Sequence, residues 1–182
     1  MSGLFSHPSG AADVPEPRPP LRAAVAVPAP RDHAWAGLTE HLHLWWPAGE
    51  LSRWGTDSFF DLEDNALVET SVDDDENVWG EVIGSQAGEW LELQWRHVGS
   101  ASTTLLRLVM EGAASASSSP AAALAGEPAE GQGGAHDDGS SDTSLAVVHS
   151  GWSEADPLGV YEFYRDFWPL ALSRYRRFMG GS

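Results

Sequence analysis

Two histidines and a threonine are the residues whose spacing offers chemistry. Stretches 89–98 and 103–110 alternate apolar and polar residues, as half-buried strands do. With the turn between them centred near Ser100-Ala101, His97 falls opposite Thr104, Trp95 opposite Leu106 and Leu93 opposite Leu108. Pairing Met110 with Thr143 in the next strand then sets Thr104 opposite His149. His97, Thr104 and His149 would form a row across one end of a sheet, on its concave side. Their backbones would be ~10 Å apart, two strand spacings. Imidazole titrates near neutrality, so such a row is suited to orienting a polar group or to general acid–base work. Local hydrogen bonding at a polar cavity mouth is the simpler reading of the same residues.

Metal chemistry is not expected. The row has no third ligand, and His41 and His43 are two residues apart, so on a helix they point to different sides. His33 adds nothing to them and reads as a surface residue. Asp73-Asp74-Asp75-Glu76 lacks the spacing and the glycine of a calcium loop, and reads as a solvated turn. Cysteine is absent, which removes thiol nucleophiles, thiolate metal sites and disulfides. No nucleophile elbow, phosphate-binding glycine loop or dinucleotide fingerprint is present, and no cofactor is implied.

The aromatic residues are the stronger functional signal, with nine Trp in 182 residues. Trp45, Trp46, Trp54, Phe59, Trp95, Trp152, Tyr161, Tyr164 and Trp168 are expected to ring the space between a sheet and a closing helix. Two outcomes stay open. The rings fill that space as a core, burying ~150–250 Å² apiece, or they wall an apolar pocket with a few polar groups, the usual form of a small-molecule site.

Composition narrows the alternatives. Ten Arg, no Lys and twenty-seven acids give a formal charge of -17, which argues against nucleic acid and against anionic lipid. No apolar run approaches the ~20 residues of a membrane helix, and the N-terminus lacks the basic and apolar regions of a secretory signal. A cytoplasmic protein of one domain is the expectation.

The elements that must position these residues can be read in order. Residues 1–20 carry five Pro and no periodicity, and read as a disordered tail. Residues 21–27 alternate as a strand that Pro28 and Pro30 end. Residues 31–44 form one bent helix or two short ones, closed by Pro47 and Gly49. A meander follows over 57–62, 66–72, 78–84, 89–98 and 103–110, with a last strand at 143–149. Between those last two lies 112–142, rich in Ala, Ser and Gly with five acids and no base, expected as a disordered insertion. The closing helix spans 156–179, with Asp156 as its N-cap, Pro157 at its first turn and Arg174, Arg176 and Arg177 at its C-terminal end. Tyr161, Tyr164, Trp168, Ala171, Leu172, Tyr175 and Met179 form its stripe, broadened by Val160, Phe163, Phe167 and Leu170. The class is α+β, with a single domain over 21–179.

In that order, Leu44-Trp45-Trp46-Pro47, Trp79-Gly80-Glu81-Val82, the Trp90–Trp95 strand, His149-Ser150-Gly151-Trp152 and Phe167-Trp168 resemble the START-like (SRPBCC) superfamily. The branch is the bacterial one similar to the C-terminal domain of the Hsp90 ATPase activator, and the resemblance covers nearly all of the chain outside the two low-complexity segments. It implies a helix-grip (START/Bet v 1-like) fold, a curved antiparallel sheet wrapped around a long C-terminal helix with two short helices after the first strand. It also implies a cavity for a small hydrophobic molecule, and so a non-enzymatic binding protein. A polyketide cyclase or dehydratase using His97 or His149, and a protein-interaction module with a chaperone partner, are the alternatives.

Overall fold

The computed structural model describes residues 17–63, 65–98, 100, 102–112 and 142–182. The expectations for 1–16 and for 113–141 therefore concern residues outside those described. Seven strands, β1 (Leu21–Val27), β2 (Phe59–Glu63), β3 (Ala66–Thr70), β4 (Glu76–Gln86), β5 (Trp90–Trp95), β6 (Thr104–Gly112) and β7 (Thr143–Ser150), make one antiparallel sheet. Their order is β1-β7-β6-β5-β4-β3-β2, so the first strand closes against the last. The sheet curls into a half-barrel around the long helix α3 (Leu158–Phe178), as a helix-grip fold requires. Between β1 and β2 lie α1 (Arg31–Thr39), a single 3-10 turn (Leu42–Leu44) and α2 (Ala48–Leu51).

Period-two alternation sets which side chains face α3. Thr143, Leu145, Val147 and His149 of β7 point inward and are buried, as do Thr104, Leu106, Leu108 and Met110 of β6 and Leu91, Leu93 and Trp95 of β5. The register differs from the sequence expectation by two residues at both ladders. Trp95 pairs with Thr104 and Leu93 with Leu106, while Leu106 rather than Thr104 faces His149. At the first ladder β5 ends at Trp95 and β6 begins at Thr104, which leaves His97 beyond the end of β5; at the second, Gly112 rather than Met110 is the partner of Thr143. An even slip keeps every side chain on its expected face.

Other boundaries also moved. Pro17–Pro20, expected as tail, is held against the turn after β7: Pro17 bridges Ser153, Arg18 N–H donates to Trp152 O at 2.9 Å, and the Arg18 guanidinium donates to Asp156 O at 2.8 Å. Asp156 is not the cap of α3, whose N-cap is Pro157. Its carboxylate accepts instead from the Ser102 hydroxyl and from Ser153 N–H at 2.7 Å, which ties the β5–β6 connection to the start of the helix. The helix runs unbroken through Pro169, and Leu170 lies on its outer side, 37% exposed.

The least expected element of the core is Glu69, fully buried on β3. Phe60 of β2 pairs with it on the inner face. Its carboxylate accepts from Trp79 Nε1–H at 2.8 Å, from Arg53 N–H at 3.0 Å and from the Ser52 hydroxyl. Ser52 Oγ in turn accepts from Trp54 N–H at 2.9 Å and Gly55 N–H at 2.7 Å. One carboxylate thus pins the α2–β2 loop to the sheet. A buried charge is tolerable only when its lone pairs are taken up in this way. Glu69→Ala strands the Trp79 indole and the Arg53 amide, and is expected to lower unfolding free energy by about 3 kcal/mol in urea titrations. A loss below about 0.5 kcal/mol, the usual range for surface substitutions, would show that the clasp is not structural.

Candidate functional site

The interior polar atoms converge on His149, which is fully buried beneath α3. Its Nδ1 accepts from Trp168 Nε1–H at 3.1 Å. An indole nitrogen only donates, so Nδ1 carries no proton and the ring is the Nε2–H tautomer. Nε2–H then donates to Thr104 Oγ1 at 2.7 Å, and Thr104 donates onward to Trp95 O at 3.5 Å. Gly151, at φ 81°, turns the chain just past β7 so that Trp152 folds back over the imidazole, 4.4 Å between ring centroids. Trp152 Nε1–H donates to His149 O at 3.1 Å. Burial, with a smaller contribution from nearby His97, pushes the His149 pKa down to about 3. The imidazole is neutral throughout the physiological range, and both of its nitrogens are engaged.

A second polar chain starts from Trp95, whose Nε1–H donates to the Tyr164 hydroxyl at 2.8 Å. That hydroxyl bonds His97 Nδ1 at 3.0 Å. We assign the shared proton to the phenol, since Tyr164 already accepts from Trp95. Burial raises the Tyr164 pKa and keeps the phenol neutral. His97 is half-buried, between Phe163 and Trp79, with its pKa lowered by desolvation. It is the place where the interior network meets water.

Rings, together with the inward Leu, Val and Met side chains of β5, β6 and β7, occupy the rest of the space between sheet and helix. Trp95 lies 6.0 Å from Trp79 and Trp168 and 6.1 Å from Tyr164. Tyr164 stacks on Trp168 at 5.8 Å, and Trp46 meets Phe167 edge-on at 5.7 Å. Of the residues expected around this space, Trp45, Trp46, Trp95, Thr104, His149, Trp152, Tyr164 and Trp168 are buried there. Tyr161 sits at its margin, with its hydroxyl donating to Pro19 O at 3.1 Å. Trp54 and Phe59 are not part of it. Trp54 is 38% exposed on the α2–β2 loop, against the Arg53 guanidinium. Phe59 is 46% exposed because Phe60, its neighbour, takes the inward parity, and it stacks on His43 at 4.9 Å instead.

Sequence reasoning missed Phe60 and Glu69 and left Trp79 unassigned. For Trp79 the obstacle was a bulge: Leu67 pairs with Gly80 but Val68 pairs with Val78, so Trp79 is the extra residue. It nonetheless turns inward and is 1% exposed. Among the described residues no group of three or more His, Cys, Asp or Glu could hold a metal ion, and no helix is long and apolar enough to cross a membrane.

No protein-family model matches the sequence, and no curated protein matches it. Solved structures do. DynU16, a protein from the dynemicin biosynthetic locus, is similar over 88% of this chain at 20% identity, with a TM-score of 0.50. This chain spans about half of that protein's length, 47%. An HSP90 activator from Plasmodium falciparum, PFC0360w, is 11% identical over 88% of this chain and 96% of its own, with a TM-score of 0.51. A protein from Arthrobacter aurescens is 15% identical over 88% of this chain and 86% of its own, at 0.52. At these identities the likeness is one of fold, and it agrees with the helix-grip architecture described above.

The His149 geometry has a consequence for stability. The unfolded chain takes up this proton near the ordinary value of 6.5, whereas the folded one refuses it until about pH 3. Between those values the unfolded state binds more protons, so the contribution is complete above pH 6.5 and drains away as pH falls. The slope from this one group approaches about 1.4 kcal/mol per pH unit. Urea midpoints of the wild type should therefore fall between pH 6.5 and pH 5, and those of His149→Gln, which keeps a donor and an acceptor without titrating, should fall less. Parallel profiles for the two proteins would remove His149 as the cause.

Proposed function

We propose that this START-like protein is a non-enzymatic binding protein that takes a small hydrophobic or aromatic molecule between the sheet and α3, entering beside His97. One observation carries the reading: a cluster of rings, Trp79, Trp95, Phe163, Tyr164 and Trp168, set among the aliphatic side chains of β5, β6 and β7, reaches water at a hydrogen-bonding pair, His97 and Tyr164, in the manner of a small-molecule site that fixes orientation with few polar groups. Since rings fill the space, the ligand is small and enters by displacing side chains at the margin. Phe163, only partly buried and packed on His97 and Phe167, is the side chain best placed to yield. Catalysis through His149, the enzyme alternative, is disfavoured because both of its nitrogens are committed and it is sealed from solvent. The likeness to a protein of a biosynthetic locus is one of fold and assigns no reaction to this chain.

The dense ring packing also favours a second reading, a protein-interaction module. A filled interior leaves function to the surface, where Trp54 and Phe59 are displayed. The fold shared with an HSP90 activator makes a chaperone the first partner to test.

Titration of intrinsic Trp fluorescence with neutral 1-naphthol separates the two. The binding reading expects a saturable change, tightened by about tenfold in Phe163→Ala, where truncation vacates a ring's volume beside the polar pair. A linear response in both proteins would sink it and leave the interaction module standing.

A further inference from the structure

The two interior histidines obey the same rule and end differently. In each, a neighbouring side chain that must give up its hydrogen occupies Nδ1 and leaves the ring proton on Nε2. For His149 the giver is Trp168, and Thr104 Oγ1 takes the Nε2 hydrogen at 2.7 Å. For His97 the giver is Tyr164. Its hydroxyl is buried and has two partners among the described residues, Trp95 Nε1 and His97 Nδ1. The indole only donates, so Nδ1 is the acceptor open to the phenol hydrogen. The other tautomer would set Nδ1–H against the phenol oxygen and strand the phenol hydrogen in the core, which is costly. The relay from Trp95 through Tyr164 to His97 therefore runs in one direction and ends on an Nε2–H.

That hydrogen is within reach. His97 is half-buried at the margin, and its Nε2 keeps contact with solvent and gives its hydrogen to no acceptor among the described residues. An imidazole on an ordinary surface rotates and exchanges tautomers, so it offers a donor or an acceptor as required. This one is held by Tyr164 and lies between the rings of Trp79 and Phe163, at 5.7 and 6.1 Å between centroids. It offers a donor only. A fixed donor discriminates, because a group that cannot accept leaves it unpaired. Charge narrows the class further. The titratable groups facing His97 are Tyr164 and His149, both neutral, and a net charge of -17 repels anions.

We propose that the interior site selects a neutral molecule carrying a hydrogen-bond acceptor, a carbonyl above all, and that His97 Nε2–H is the group that reads it. This rests on the binding function proposed above and names the chemistry of its ligand. The class is an aryl ketone or aldehyde, with its oxygen at His97 and its body in the space that Phe163 yields. Tyr164 is a positioning residue that acts through the imidazole.

Acetophenone and ethylbenzene are alike in size and differ at the oxygen. Calorimetric titration of the full-length protein with each, at pH 8, is the test. The preference for acetophenone over ethylbenzene is expected to fall about fivefold in His97→Phe, which keeps a ring and loses the donor. A second measurement needs no ligand. Imidazole ¹⁵N spectra of the wild type should show His97, identified by its loss in His97→Phe, as the Nε2–H tautomer. In Tyr164→Phe, where no phenol donates to Nδ1, the two tautomers should mix. A wild-type His97 protonated on Nδ1, or a preference unchanged in His97→Phe, overturns the proposal and leaves the binding function intact. No saturable binding of either compound by the wild type overturns both.

Discussion

The Trp168–His149 hydrogen bond constrains more of this molecule than any other contact. An indole has one polar atom and can only give its hydrogen away. By pointing it at Nδ1, α3 fixes the protonation of an imidazole on β7, and that imidazole must then satisfy itself against Thr104 on β6. Thr104 reaches the carbonyl of Trp95 on β5. A single directional bond from the helix is thus relayed across three adjacent strands. Shape complementarity alone would let α3 slide along its apolar groove, since rings tolerate many offsets. The relay does not, because a displacement of about 1 Å leaves donors without acceptors in a place water does not reach.

This explains why a core so rich in tryptophan contains so much polar chemistry. Each large ring brings area worth a few kcal/mol on burial, and each indole or phenol brings a hydrogen that must be placed. Trp95 places its own on Tyr164, Trp79 on Glu69, and Trp45 on the carbonyl of Gly37. Tyr175 gives its hydroxyl proton to Ala34 O at 2.6 Å, joining α3 to α1. In each case the acceptor lies on a different element from the donor, so the aromatic residues act as cross-braces between elements as well as filler.

How much of this the sequence shows depends on the kind of information asked for. Inward and outward faces of β5, β6 and β7 are legible because alternation has a period of two and survives any even error in register. The register itself is not, because neither the sequence between β5 and β6 nor that between β6 and β7 carries a periodic pattern that would say where pairing resumes. His97 suffers most from this, moving from a place in the ladder to a place beside Tyr164. The stripe of α3 is legible from Tyr164 to Met179, because helical spacing and burial agree there; Leu170 fails because it sits at the edge of the broadened stripe, and the cap at Asp156 because the helix starts one residue later than the Asp-Pro pair suggests. Phe59 and Phe60 are chemically identical neighbours on a strand of five residues, and nothing local says which one turns inward. Glu69 is invisible for a different reason: its partners come from a loop, a backbone amide and a bulged strand, none of which pattern reading can place.

One detail of the ladder reaches beyond the site. Gly112 and Thr143 are direct partners across β6 and β7, so the chain departs from the sheet and comes back at adjoining rungs. Whatever length separates them, the two endpoints stay a strand's width apart and the hydrogen-bonding below is unchanged. Closure entropy rises only with the logarithm of the number of residues spanned. Doubling the thirty positions from 113 to 142 would cost only about 0.6 kcal/mol in closure entropy, and halving them would relieve about as much. That junction is consequently a permissive locus, where lineages can splice, trim or swap sequence while the barrel beneath stays the same.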